Sequence, residues 1–475
     1  MGFSADIFAG RKVAVFGLGR SGLACARALA AGGAEVLCWD DGEAGRRRAG
    51  EMGLAVRDLR EEDFPRLAAL VLAPGVPLTH PEPHWTVARA KEAGVEVMGD
   101  TEVFFRQVSK TPGVKIIAIT GTNGKSTTTA LIGHVLRSSS LDAHVGGNIG
   151  TAVFDLAEPK WGRIYVIEMS SYQIDLSPTF RPDVGVLLNL SPDHLERHGT
   201  MENYAAVKGR LFANMGEGDT AVISVDDEWC RAALESVPEK VSRCPISVRG
   251  LVDEGICAPG GVLQERAAGK TLRGVDLSMM KTLRGEHNWQ NACAAWAACR
   301  AMSMDGMLIG RGFMSFPGLA HRMQIAGQEG RVMFVNDSKA TNAAAAARAL
   351  DSFDDIHWIA GGLAKEGGIG ELMKYAAKIR RAYLIGEAAE EFAAVLERAG
   401  IEYEMCGTLD VAVREAAEKA AGDAAAARPV VLLAPACASF DQYNSFEERG
   451  EHFLSLVEEL TARADAGGEE GEERP

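Results

Sequence analysis

The sequence predicts an α/β protein of three domains, the outer two Rossmann-like and the middle one built around a P-loop-like phosphate site. Three observations predict it. The apolar run Ile116–Ile119 breaks into Thr120-Gly-Thr-Asn-Gly-Lys-Ser-Thr, a strand, a glycine turn and a helix start. Near the N-terminus, Lys12–Phe16 leads into Gly17-x-Gly19-x-x-Gly22, an alanine-rich helix and a second strand ending in Asp40-Asp41. Short apolar runs that end in glycine or polar residues then recur to the end of the chain, the rhythm of alternating strands and helices. The 475 residues suit about three such domains.

Composition narrows the function. A net charge of −15 disfavours nucleic-acid and membrane-surface partners, so an anionic ligand has to be held by local donors, lysines and metal ions. The nine cysteines form no Cys-x-x-Cys pair, which points to reduced thiols and a cytoplasmic setting. No apolar leader and no run of about 18 apolar residues is present, so neither export nor membrane spanning is expected.

The first domain is expected over residues 1–110. Its β-Gly-x-Gly-x-x-Gly-α-β-Asp pattern places Gly17, Gly19, Arg20, Ser21 and Gly22 at a phosphate loop, with Asp40 and Asp41 about 20 residues on, where a ribose hydroxyl partner belongs. The pattern identifies a phosphate-and-ribose loop better than it identifies nicotinamide. A further strand, Ala69–Leu72, stops at Ala73-Pro74-Gly75, again at the strand edge where ligands of open α/β sheets gather. The stretch Lys110–Lys115 reads as a linker.

The central domain is expected over 111–317. Gly121, Thr122, Asn123 and Gly124 offer backbone N–H groups at a helix N-terminus, Lys125 reaches β- and γ-phosphates, and Ser126 or Thr127 offers a hydroxyl to Mg²⁺. Ile119 stands where the usual Gly-x4-Gly-Lys pattern has its first glycine, which counts against the common NTPase families. Two more strands deliver polar residues at the same edge: Ile164–Ile167 leads to Glu168, and Val184–Leu188 leads to Asp193-His194. Glu168 reads either as a metal ligand or as a solvated strand-end acid, and His194 as a ligand or a hydrogen-bonded loop histidine. Lys208, on a helix one turn after Tyr204, reads by default as an exposed lysine. Asn288 and Asn291, three apart at a helix start, could equally serve capping and packing.

The last domain, expected over 318–475, carries three apolar runs, His357–Ala360, Ala382–Ile385 and Val430–Ala434, and ends in an acidic, glycine-rich tail from Gly467 that reads as disordered.

With these motifs in order the chain resembles the Mur ligases over essentially its whole length. The runs that carry the resemblance are Thr120 to Thr127, Gly147-Asn-Ile-Gly, Glu168-Met-Ser-Ser-Tyr-Gln, Asp193-His194, Tyr204-Ala-Ala-Val-Lys208, His287-Asn-Trp-Gln-Asn-Ala, Gly318-Leu-Ala-His-Arg322, Asn336-Asp-Ser-Lys-Ala-Thr341 and Pro435-Ala-Cys-Ala-Ser-Phe-Asp-Gln. The resemblance implies ATP-dependent amide synthesis through an acyl phosphate, with D-glutamate added to UDP-N-acetylmuramoyl-L-alanine. It implies ATP and two Mg²⁺ ions and no NAD, with Ser126 and Glu168 on one ion, His194 on the second, and Lys208 carbamylated as a further ligand. Lys125, His194, Lys208 and Lys339 are the implied catalytic residues. ATP would meet the phosphate loop, Asn288, Asn291, Arg322 and Asp337. The UDP-linked substrate would meet the first domain's loops, Pro74 and Gly75 included, and Asn148. D-glutamate would meet Thr341, Lys365, Ser439 and Phe446. A cytoplasmic monomer is implied.

Three positions depart from the pattern: Gln324 where Glu is common, Ala73 where Ser precedes Pro-Gly, and Ala364 where an acid precedes the acceptor-site lysine. Ligases that add a diamino acid carry an Asp-Asn-Pro-Arg loop, absent here. Folylpolyglutamate synthase lacks the N-terminal Rossmann-like unit, and an NAD-dependent oxidoreductase leaves residues 116–208 idle. A non-enzymatic nucleotide-binding protein on this scaffold predicts loss of metal or acceptor residues, yet Lys125, Glu168, His194, Lys208 and Lys339 all remain.

Overall fold

The computed structural model describes residues 3–280, 282–283, 285–364 and 368–468, with the backbone alone for 463–468. Among these residues the strands form three sheets. The first holds β1 (Lys12–Phe16), β2 (Glu35–Trp39), β3 (Ala55–Val56), β4 (Ala69–Leu72) and β5 (Val97–Met98), all parallel, in the order β3-β2-β1-β4-β5. Phe16 is in register with both Trp39 and Leu72. The glycine loop, Asp40 and the Ala73–Val76 turn therefore leave the sheet at one edge.

The second sheet runs through β6 (Lys115–Thr120), β7 (Ala143–Gly147), β8 (Ile164–Glu168), β9 (Val184–Leu187), β10 (Thr220–Ser224), β11 (Ser242–Ser247), β12 (Gly255–Cys257), β13 (Val262–Ala267) and β14 (Lys270–Asp276). The order is β14-β13-β12-β11-β10-β9-β6-β8-β7, parallel from β7 to β12, with β13 and β14 antiparallel at one end. β6 lies between β8 and β9 and is apolar on both faces, as a doubly covered parallel strand has to be. Register puts Ile119 opposite Glu168 and Thr120 opposite Leu187, so the phosphate loop, Glu168 and the Asn189–His194 loop emerge together.

These two sheets share one apolar core. Phe3 packs edge-on against Phe154 at 5.2 Å and Phe104 against Tyr165 at 5.0 Å, joining the first segment to the second. Polar contacts follow the same seam: Gly99 N–H donates to Leu176 O at 2.7 Å, Thr179 N–H to Glu102 Oε2 at 3.1 Å, and Arg27 pairs with Asp155 at 2.7 Å. Met1–Phe316 accordingly forms one compact unit and Pro317–Pro475 a second.

The second unit holds β15 (Gln324–Glu329), β16 (Val332–Asn336), β17 (Ile356–Gly361), β18 (Ile379–Ile385), β19 (Tyr403–Gly407) and β20 (Val430–Leu433). Its sheet is ordered β15-β16-β20-β17-β18-β19, parallel except for the β15/β16 hairpin. The final helix is Phe446–Gly468, so Gly467 and Gly468 of the expected disordered tail are helical, and residues 469–475 lie outside the described residues. No described helix is long and apolar enough to cross a membrane.

Candidate active site

The phosphate loop takes its shape from two glycines with positive φ, 148° at Gly121 and 84° at Gly124. A Cβ on Gly124 would collide with Asn291 Oδ1. The helix Lys125–Ser138 starts at Gly124 without a side-chain cap, which leaves its N-terminal donors to an anion. The loop is braced by the next strand end. Thr122 N–H donates to Asn189 O and Asn123 N–H to Asn189 Oδ1, both at 2.8 Å, and Asn189 Nδ2 donates to Gln290 Oε1 at 2.7 Å. Lys125 Nζ folds back onto Gly121 O and Thr122 O at 2.9 Å each, a reserve of donors that a triphosphate could claim. Ser126 and Thr127 are half-buried in the first helical turn. Asn291 is buried beneath the loop, accepting from Thr128 Oγ1 and donating to Asn288 Oδ1, each at 3.1 Å.

Glu168 closes β8 and is 3 % exposed. One oxygen accepts from Asn148 Nδ2 at 3.2 Å, while Oε2 is buried with no hydrogen-bond partner among the described residues. A buried carboxylate oxygen without a donor carries a full desolvation penalty, which a hard cation would offset. The donor set fits Mg²⁺ in that respect. His194 sits at φ 53°, 3.5 Å from Asp193 and 3.6 Å from Glu196, with its ring 5.1 Å from Tyr172. Among the described residues no group of three or more His, Cys, Asp or Glu converges as a ready-made cation site. The expected donor set leans on a serine and on a modified lysine instead.

The default reading of Lys208 as an exposed lysine is overturned: its residue is 2 % exposed. The helix Met201–Gly209, capped by Thr200, turns Tyr204, Val207 and Lys208 inward together. Lys208 Nζ donates to Thr120 Oγ1 and Gly121 O at 3.1 Å each and lies 5.0 Å over the Tyr204 ring, whose hydroxyl is 3.1 Å from Thr122 Oγ1. Burial first, and the Lys125 charge second, pull its pKa down to about 7. A neutral amine beside a phosphate loop is the form that can add CO₂.

In the first sheet Gly17, at φ 92°, could not bear a Cβ without striking Ala73, so alanine in place of serine packs directly on the loop. Asp40 accepts from Leu18 N–H at 2.5 Å and Gly42 N–H at 2.7 Å, shaping the loop it was expected to serve. Asp41 faces His84 at 3.2 Å and Arg60 at 3.6 Å. Gly19 and Arg20 are exposed, Ser21 half-buried.

The second unit gathers its own expected residues. Asp337 accepts from Met323 N–H at 3.2 Å, and burial raises its pKa to about 6, opposed by the nearby Arg322 charge. Lys339 Nζ lies 4.9 Å over the Phe446 ring, Thr341 N–H donates to Lys339 O at 2.8 Å, and Ser439 is buried. Gln324 Oε1 accepts from His321 N–H at 2.8 Å, so the amide braces that turn where an acid is common, and Ala364 is exposed. Lys365 lies outside the described residues.

Sequence reasoning missed several residues. Arg449, buried without a carboxylate partner among the described residues, donates to Ser338 Oγ and O, at 3.0 and 2.9 Å, and to Cys437 O at 3.2 Å, tying the Lys339 loop to the Ser439 loop. His198 is sandwiched between Tyr172 and Tyr204 and bonds Ser171 Oγ at 2.9 Å. Arg197 reaches the carbonyls of Pro74, Gly75 and Val76. For His198 and Arg197, nearness in the sequence to Asp193-His194 was the available signal.

Comparison with known proteins bears on all of this. Family models describing the MurD-like N-terminal domain, the Mur ligase middle domain and the Mur ligase glutamate ligase domain match residues 11–99, 119–299 and 321–437. The chain is 55 % identical over 457 residues to the UDP-N-acetylmuramoylalanine–D-glutamate ligase of Rhizobium meliloti, covering 95 % of this chain and 97 % of that one. It is 52 % identical over 460 residues to the same-named protein of Caulobacter vibrioides, covering 96 % and 97 %. Among solved structures, the UDP-N-acetylmuramate–alanine ligase MurC of Thermotoga maritima matches with a TM-score of 0.58 at 17 % identity, covering 95 % of this chain and 99 % of that one. MurF of Acinetobacter baumannii matches at 0.56 and 18 % identity, covering 78 % and 82 %. These two show a shared fold. Three α/β domains in this order, and near-complete coverage at more than half identity, place the chain in the Mur ligase family.

Proposed function

We propose that the protein adds D-glutamate to UDP-N-acetylmuramoyl-L-alanine at the expense of ATP, in the synthesis of peptidoglycan precursors. The observation that carries this reading from the geometry is the pair flanking the phosphate loop: a Lys208 amine buried against Thr120 and Gly121, and a buried Glu168 oxygen with no partner among the described residues. Full-length identity to relatives named for that reaction supports the substrate choice.

The substrate carboxylate, the triphosphate and the acceptor dicarboxylate are all anions, so the site has to neutralise them while excluding water. Gly121 to Gly124 and the helix start would cradle the phosphates, and Lys125 would release its loop carbonyls for phosphate oxygens. Ser126, Glu168, His194 and carbamylated Lys208 would hold two Mg²⁺ ions, which when bound supply charge neutralisation of the phosphates. Asn148 and the loops of the first sheet would orient the UDP-linked substrate. Attack of its terminal carboxylate on the γ-phosphorus would give an acyl phosphate with ADP as the leaving group, and the amine of D-glutamate would then attack the acyl carbon, releasing inorganic phosphate and a proton as the amide forms. Lys339 would sit toward the phosphate and the acceptor, with Thr341, Lys365, Ser439 and Phe446 around D-glutamate. Asn288, Asn291, Arg322 and Asp337 would serve ATP. The reading places the protein in the cytoplasm as a monomer, with working domains at 1–110, 111–317 and 318–475.

Phosphate release from ATP and Mg²⁺ with UDP-N-acetylmuramoyl-L-alanine, compared across D-glutamate, L-glutamate and no acceptor with product mass as confirmation, tests it. Release and a new amide with D-glutamate alone are expected. Turnover with a different amino acid, or with none, would overturn the assignment.

A further inference from the structure

Arg197 donates from Nη1 to Gly75 O at 3.1 Å and from Nη2 to Pro74 O at 3.3 Å and to Val76 O. The planar guanidinium also lies 4.9 Å over the Tyr172 ring. That ring is 5.1 Å from His194 and 5.6 Å from His198, and His198 is 5.4 Å from Tyr204, whose hydroxyl meets Thr122 in the phosphate loop. A row of packed side chains therefore runs from the turn after β4 to the phosphate loop, with Arg197 as its outer end. No carboxylate pairs with Arg197 among the described residues. A half-buried cation satisfied by three carbonyls of one remote turn is an expensive way to fasten a surface loop.

We infer that Arg197 is a positioning residue for the UDP-linked substrate: it fixes the Pro74–Val76 turn in register with the His194 loop, so that the substrate's two ends are placed at once. The inference rests on the proposed reaction for the identity of the substrate. It assigns Arg197 no contact with the reacting atoms. Lysine is a poor substitute, because its three donors radiate from a single nitrogen and it lacks the planar, forked group that reaches three successive carbonyls from over the Tyr172 ring.

The test compares Arg197→Lys and Arg197→Met in the full chain. Calorimetry reads the binding of UDP-N-acetylmuramoyl-L-alanine and, separately, of a non-hydrolysable ATP analogue; steady-state kinetics reads KM for each of the three substrates. Both variants are expected to bind the UDP-linked substrate about tenfold or more weakly, since loss of a well-placed fork leaves polar groups unpaired, while the ATP analogue binds within about twofold of wild type. Wild-type affinity in Arg197→Lys, an equal loss for all substrates, or failure of both variants to fold would overturn the inference. Wild-type binding without any amide product would instead fault the proposed reaction, because the binding comparison is read independently of turnover.

Discussion

Lys208 donates to Thr120 Oγ1 at 3.1 Å, and Thr120 passes its own proton on to Met169 O at 2.8 Å. The pair seals the amine beneath the strand end that opens into the phosphate loop. With the folded pKa near 7 and the unfolded value about 10.4, the unfolded chain holds the extra proton across that window. Stability therefore rises with pH between those values, and the burial penalty is felt in full below the lower one. Lys208→Met should flatten this rise in urea titrations and stabilise the protein at pH 6.5 by on the order of 1–3 kcal/mol, while turnover falls at least about a hundredfold. Native mass spectrometry in bicarbonate should show one added CO₂ in wild type and none in the variant.

Gly124→Ala tests the fit between the phosphate loop and the helix below it. The new Cβ meets Asn291 Oδ1 and the backbone is left-handed. A strained φ alone costs about 1 kcal/mol, and the collision has to displace the amide that Thr128 donates to. Nucleotide affinity, read by calorimetry, is expected to fall about tenfold or more.

Asp40→Ala removes the acceptor for two backbone N–H groups, those of Leu18 and Gly42. The expected cost is about 1–3 kcal/mol of stability. KM for the UDP-linked substrate should rise and KM for ATP should hold, which steady-state kinetics separates.

In the second unit His357 is buried at the start of β17, with Nδ1 3.0 Å from the Tyr383 hydroxyl, Nε2 3.8 Å from Asp423, and Arg380 and Arg381 nearby. Burial lowers its pKa, against the attraction of Asp423. A depressed folded pKa means the contribution to stability is complete above the unfolded value of about 6.5 and is lost progressively as pH falls from there through the lower folded value. Urea midpoints should drop between pH 7.5 and 5.5 in wild type, and His357→Leu should narrow that drop.

The strands were legible because each buried run is apolar and short, and the three strand ends at Thr120, Glu168 and Asn189 could be placed on one edge from pattern alone. The burial of Lys208 was not legible from its own helix, which offers no clear apolar stripe; its Nζ is held by Thr120 and Gly121, 88 and 87 residues earlier. Arg197 escaped for the same reason: its partners are backbone carbonyls 121 to 123 positions away, and a carbonyl leaves no mark in the sequence. The joining of the first two sheets into one unit depends on Phe3, Phe104, Phe154 and Tyr165, four scattered aromatics that no periodicity links.

That aromatic seam constrains how such a chain can be recombined. A swap of the first 110 residues for those of another ligase would cut between Phe104 and its neighbours Phe154 and Tyr165 and would part Glu102 from Thr179. The incoming piece would need matching aromatics at the cut face to be accepted.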